Sequence, residues 1–159
     1  MKRHKSIVEL SRDHQKGLML AQLLKKNAPL YKGLPTDIEG KMKYAIETFQ
    51  TDLIKHFEDE EKILFPASKG KSNECDELID ELLNEHKFFY ENIPFLTFTE
   101  ELKDKLDDIG FKLESHIRKE ERILFNLIQE ILSEEELKII ENQLQESRKS
   151  VTKNCKTKY

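Results

Sequence analysis

Glycine and proline are scarce, 5 and 4 of 159 residues, so the chain lacks the turn-forming punctuation that many short strands require. That argues against an all-β fold. Cysteine is scarcer still. Cys75 and Cys155 stand apart with no C-x-x-C spacing, which speaks against a disulfide framework and a thiolate zinc site and leaves Cys75 as a small helix residue. No run of 18 or more apolar residues occurs, so no membrane association is expected; the opening MKRHKSIVELSRDHQ turns charged too soon for a signal-peptide core. A cytoplasmic location is the expectation. Basic charge is not in excess either: 27 Lys and Arg stand against 31 Asp and Glu, a net charge of −4 with no long basic face, which argues against a nucleic-acid partner.

What is present is amphipathic helix. Charged residues make up 36% and the hydrophobic class 37%, a balance suited to helices with solvated outer faces around one core. The periodicity predicts a first helix from Lys5 to Asn27, with Ile7, Leu10, His14, Gly17, Ala21 and Leu24 on one face. A second helix is predicted from Thr36, whose T-x-x-E pattern to Glu39 reads as a capping box, to Pro66; its stripe is Met42, Ile46, Phe49, Leu53, His56, Glu60 and Ile63. The third starts near Asn73 and aligns Cys75, Ile79, Leu82, His86, Phe89 and Ile93 before Pro94, which should begin an extended climb or kink the helix. The fourth, with a second T-x-x-E box at Thr97 and Glu100, carries Leu102, Leu106, Ile109, Leu113, His116, Glu120, Ile123 and Leu127, with Gly110 off the stripe. A short fifth helix, capped by Ser133 with Glu136, aligns Leu137, Ile140 and Leu144 to Arg148. The expected fold is an all-α, antiparallel up-down-up-down four-helix bundle with this short C-terminal helix, a domain over residues 1–148, and a basic, disordered tail over 149–159.

Polar residues interrupt the apolar stripes at corresponding places. Of five histidines, His14, His56, His86 and His116 face the core, one on each long helix, and four independent histidines would all do so by chance roughly once in 150. Glu60 and Glu120 each follow a histidine by one helical turn on the same face. A buried ionised carboxylate costs several kcal/mol unless paired, and no Lys or Arg lies beside them on the seams, so metal cations are the fitting counter-charge. The second and fourth helices also repeat each other: HFEDEEKILF from His56 to Phe65 matches HIRKEERILF from His116 to Phe125 as H-x-x-x-E-E-x-I-L-F. Such a duplication creates a pseudo-twofold site with two histidines and one bridging Glu from each half. Nitrogen and oxygen donors without thiolates suit iron or manganese, with zinc feasible, and do not build a calcium cage.

At these residues the chain resembles the hemerythrin-like, or HHE cation-binding, family. The family pattern of D-H, H-x-x-x-E-E-x-x-L-F-P, E-H and H-x-x-x-E-E is met by Asp13-His14, His56 to Pro66, Glu85-His86 and His116 to Phe125, over about Lys5 to Leu132. The resemblance implies a non-haem, oxo- or hydroxo-bridged di-iron centre held by His14, His56, Glu60, His86, His116 and Glu120. Oxygen-carrying members have a further histidine where this chain has Tyr90, so the site looks like the four-histidine, two-glutamate version of bacterial iron–sulfur repair proteins and a eukaryotic iron-sensing domain, and reversible O2 carriage is disfavoured. The N-terminal cysteine-bearing domain of those repair proteins has no counterpart in this sequence.

The neighbouring residues read more plainly. Glu58 and Tyr90 are candidate accessory ligands, Tyr90 more simply an aromatic core residue with its hydroxyl bonded near the metals. Asp13, Glu61, Glu85 and Glu121 read as solvated residues or supports for ligands, and His4 as a solvated terminal residue. Phe88, Phe89, Phe95 and Phe98 should pack between the third and fourth helices, and Phe65 and Phe125 should seal the site. The leading expectation is a di-iron protein that reacts with or senses O2, NO or peroxide, in iron handling or stress response, with a protein redox or signalling partner. The alternatives are a di-iron enzyme, peroxidase- or catalase-like or NO-reducing, and an interaction module stapled by its metals. A ferritin-like site is excluded because Leu53, Leu83 and Leu113 stand where its Glu-x-x-His pairs need Glu.

Overall fold

The computed structural model describes the backbone of residues 1–156 and the side chains of residues 1–149. Helix α1 is Val8–Leu24. Helix α2 runs over residues 38–68 as Ile38–Thr48, Phe49–Leu53, Ile54–Asp59, Glu60–Leu64 and Phe65–Ser68; α3 is Asn73–Asn92; α4 runs over residues 102–131 as Leu102–Lys119, Glu120–Leu124 and Phe125–Ile131; and α5 is Glu134–Lys156. The first four form the antiparallel bundle. Gly33 and Gly70, at φ +79° and +84°, turn the chain in the connections that enclose α2, a conformation that disfavours side chains with a Cβ.

The helix ends follow local hydrogen bonding, not always at the expected residue. Asp37, not Thr36, caps α2 by accepting the Gly40 amide at 3.0 Å. Ser72 caps α3 through the Cys75 amide, and Ser133 forms the expected reciprocal box with Glu136 at the head of α5. The Thr97–Glu100 box does not form: α4 starts at Leu102 with no side-chain cap, preceded by a 3-10 turn at Ile93–Phe95 that carries Pro94. Helix α5 is longer than the short helix expected and continues beyond Arg148 to Lys156, while residues 157–159 of the expected disordered tail lie outside the described residues.

Three five-residue π turns, Phe49–Leu53, Glu60–Leu64 and Glu120–Leu124, punctuate α2 and α4. Each closes an i→i+5 hydrogen bond, as in Phe65 N–H to Glu60 C=O and Phe125 N–H to Glu120 C=O. The extra residue rotates everything downstream. Leu64, Phe65, Leu124, Phe125 and Ile128 are therefore fully buried where a regular α-helix would bury Ile63, Ile123 and Leu127, and Ile123 is left 46% exposed. The π turn before Pro66 also places that residue in the first turn of a new α segment, where its missing N–H is tolerated, so α2 passes it and ends at Ser68.

The core divides into two apolar clusters with the four histidines and two glutamates between them. One contains Leu20, Ala21, Phe49, Leu106 and Leu113; the other contains Ile7, Leu10, Leu64, Phe125 and Ile128, closed by Leu137, Ile140 and Leu144 of α5. Gly110 is a structural requirement: a Cβ there would stand 2.7 Å from the Ala21 backbone oxygen, so its absence lets α4 lie directly on α1. The expected packing of four phenylalanines fails for two. Phe89 is buried and Phe88 partly buried, but Phe95 and Phe98, on the irregular 93–101 connection, are 74% and 67% exposed.

Candidate metal centre

Every core histidine arrives on a different helix: His14 from α1, His56 from α2, His86 from α3 and His116 from α4. All four are buried, and Glu60 and Glu120 are fully inaccessible. The i,i+4 spacing brings His56 Nε2 to 3.0 Å from Glu60 Oε1 and His116 Nε2 to 3.3 Å from Glu120 Oε1. The second oxygen of each glutamate crosses the bundle: Glu60 Oε2 lies 3.2 Å from His86 Nε2 and Glu120 Oε2 2.9 Å from His14 Nε2. Each carboxylate thus spans two histidines. The ligand atoms fall into two groups, His14, His56, Glu60, Glu120 and Glu60, His86, His116, Glu120, each with its atoms within 4.8 Å of one another and with both glutamates shared.

A ring of carboxylates surrounds the imidazoles. Asp13 of α1 accepts from His56 Nδ1 at 3.0 Å, Glu61 of α2 from His86 Nδ1 at 2.9 Å, Glu85 of α3 from His116 Nδ1 at 2.7 Å, and Glu121 of α4 from His14 Nδ1 at 2.7 Å. Each helix therefore orients the histidine of the next, and α4 closes the circuit onto α1. An acid at Nδ1 keeps the N–H there and turns Nε2, the other ring nitrogen, inward as a potential ligand. Sequence reasoning named these acids as supports or solvated residues; their cyclic pairing has no signature in spacing, because every bond joins different helices.

The electrostatics call for cations. His14 and His56 bring their Nε2 atoms to 3.1 Å, and both oxygens of Glu60 and Glu120, with Nε2 of His86 and His116, are buried without a hydrogen bond among the described residues. Lone pairs and anionic oxygens so gathered repel one another unless positive charge lies between them. Without metal, the facing acids favour the protonated form of the imidazoles. Burial pushes the imidazole pKa values down, but the carboxylates on both ring nitrogens prevail: all four are raised, His56 well above the ordinary value and His116 to about 9. Burial pushes Glu60 and Glu120 up, and the facing imidazoles draw both below the ordinary carboxylate value, Glu120 well below. Metal cations satisfy the same atoms, and this thiolate-free donor set fits two ions of the first transition row.

Aromatic rings wall the site. Phe57 stacks on His86 at 4.0 Å between centroids, Phe65 on the same histidine at 5.7 Å, and Phe125 on His14 at 5.4 Å. Tyr90 stands one turn after His86 but packs its half-buried ring edge-on to Phe49 and Phe57, and its hydroxyl makes no hydrogen bond among the described residues. Burial, then Glu61, raises its pKa. Glu58 pairs with Lys62 at 3.7 Å and stands outside the two ligand groups. His4 is partly buried and held in place: its ring bonds Ser6 Oγ at 2.7 Å and its amide bonds Gln129, fastening the N-terminal segment to α4.

The model of the hemerythrin HHE cation-binding domain matches residues 5–128, and the chain belongs to that family. It is a metal-binding, hemerythrin-like protein. No curated protein and no solved structure matches the chain. Among the described residues no helix is long and apolar enough to cross a membrane.

Proposed function

We propose that the chain is a cytoplasmic di-iron protein whose centre reacts with or senses a small diatomic or peroxide molecule, O2, NO or H2O2. The observation that carries this reading is the pair of fully buried glutamates, each spanning two histidines, with no Lys or Arg paired to either among the described residues. His14, His56, His86 and His116 would hold the two ions, and Glu60 and Glu120 would bridge them. When bound, two adjacent irons supply a site for a small oxidant or NO and the electrons to reduce it.

The chain's own residues prepare that chemistry. The four outer carboxylates keep the Nδ1 protons in place and the Nε2 atoms directed inward. Phe57, Phe65 and Phe125 exclude bulk water, which strengthens every charge interaction inside. Manganese or zinc fits the same donors, and a protein redox or signalling partner would read or reset the centre.

Metal analysis followed by anaerobic titration with O2, NO and H2O2 tests the proposal. The expected result is about two irons per chain and an absorption change complete at stoichiometric ligand. Zinc as the sole resident metal, with no response to any of the three, would overturn it. Continuous turnover of peroxide or NO in stopped flow favours the enzyme reading over the sensor.

A further inference from the structure

The C-terminal helix reaches the surroundings of the centre through Ser147 and Arg148. Arg148 of α5 donates to both oxygens of Asp13, Nη2 to Oδ2 at 2.7 Å and Nη1 to Oδ1 at 3.3 Å. The same Oδ2 accepts from His56 Nδ1 at 3.0 Å. Beside it, Asp59, buried and next in the chain to Glu60, accepts from Ser147 Oγ at 2.7 Å and Lys55 Nζ at 2.8 Å, with Arg148 Nη2 at 3.5 Å. Two consecutive residues of α5 thus grip two acids, one bonded to a candidate ligand and one adjacent in the chain to another. The grip has a fixed base, because Leu137, Ile140 and Leu144 anchor α5 on the second apolar cluster.

We propose that Arg148 is a positioning residue for the metal centre: by fixing Asp13 on His56 it couples docking of the C-terminal helix to metal occupancy. This rests on the metal-centre reading above. A bidentate guanidinium leaves Asp13 one orientation, and that orientation aims His56. Coupling is reciprocal, so metal that fixes His56 also favours the docked α5. Among the described residues the acids on the other histidines are held elsewhere: Glu121 by Arg3 and Ser11, Glu85 by Lys119, and Glu61 by its histidine alone. Among the described residues, Arg148 is thus the side chain of this helix that holds an acid bonded to one of the four histidines.

The test uses the full chain loaded anaerobically with Fe(II), with the rate of iron transfer to ferrozine as readout. Arg148→Ala should release iron roughly tenfold faster than wild type, Arg148→Lys should recover part of the difference, and Lys138→Ala, an exposed change on the same helix, should release at the wild-type rate. Hydrogen exchange supplies a readout that simple packing would not move. Loading with Fe(II) should slow amide exchange over residues 134–149 in wild type and leave it unchanged in Arg148→Ala. Equal release by wild type and Arg148→Ala, or exchange in wild-type α5 indifferent to iron, overturns the coupling. If Arg148→Ala fails to fold, Arg148→Gln and Arg148→Lys decide by the same measurements, and wild-type release from both overturns it. Wild type that binds neither Fe(II) nor Zn(II) sinks the metal-centre reading itself, an outcome distinct from tight iron with no effect of Arg148.

Discussion

Helices α2 and α4 carry the same ten-residue pattern, His56–Phe65 and His116–Phe125, through the same π turn, yet the two copies are braced by different means. In the α4 copy Glu121 holds His14 while Arg3 grips it at 2.8 Å and Ser11 at 2.6 Å. In the α2 copy the equivalent Glu61 bonds His86 and has no other partner among the described residues. The position three after each histidine also diverges: Asp59 turns to α5, whereas Lys119 turns to Glu81 and Glu85 of α3. Identical motifs thus set the inner ligand geometry, and the outer contacts decide how firmly each support is held.

The largest effect should ignore this difference. Glu60→Ala and Glu120→Ala each remove a carboxylate shared by both ligand groups, and each should cut bound metal by at least about half, measured as metal per folded chain. A loss confined to one of the two variants would break the pseudo-twofold description. Next come the supporting acids. Glu61→Gln and Glu121→Gln should each weaken metal retention by roughly 10- to 100-fold in chelator competition. Only Glu121→Gln should also free the N-terminal segment, seen as faster proteolysis after Arg3 or Lys5. Equal protection of that segment in both variants would remove the proposed asymmetry.

Packing against the braced side offers a smaller test. Gly110→Ala pushes a Cβ against the Ala21 backbone oxygen and should cost about 1–3 kcal/mol in urea unfolding. Gly17→Ala meets only the flexible tip of Ile117 at the same 2.7 Å and should cost less. The smallest effects lie at the helix entries, where Asp37→Ala should cost about 1 kcal/mol and Thr97→Ala almost nothing, because α2 has a side-chain cap and α4 has none. A sizeable loss from Thr97→Ala would restore the capping box that the structure lacks.

Much of the fold is legible in the sequence. Apolar residues at helical spacing announced the long helices, and His14, His56, Glu60, His86, His116 and Glu120 stood out as polar interruptions of apolar stripes. The structure brings all six together. What escaped was phase and partnership. A π turn adds one residue, so Leu124 and Ile128 replaced Ile123 and Leu127 in the core, a shift that a 3.6-residue period cannot anticipate. Thr36 and Thr97 matched the capping pattern, but Asp37 was better placed for α2, and the turn after Pro94 set the start of α4 at Leu102.

Gly110 illustrates the same limit, since a helix-weakening residue off the stripe became intelligible only when Ala21 was seen against it. The contributions of Arg3 and Arg148 were invisible for a related reason: each reaches its acid across more than a hundred residues of chain.

Residue order alone therefore determined the helices, their inward faces and the donor set of the centre, because these depend on interactions within a turn or two of the backbone. Tertiary packing decided which acid steadies which histidine, which copy of the motif is braced, and how the last helix meets the site. Those choices depend on side chains from separate helices arriving at one place, and no local periodicity encodes that arrival.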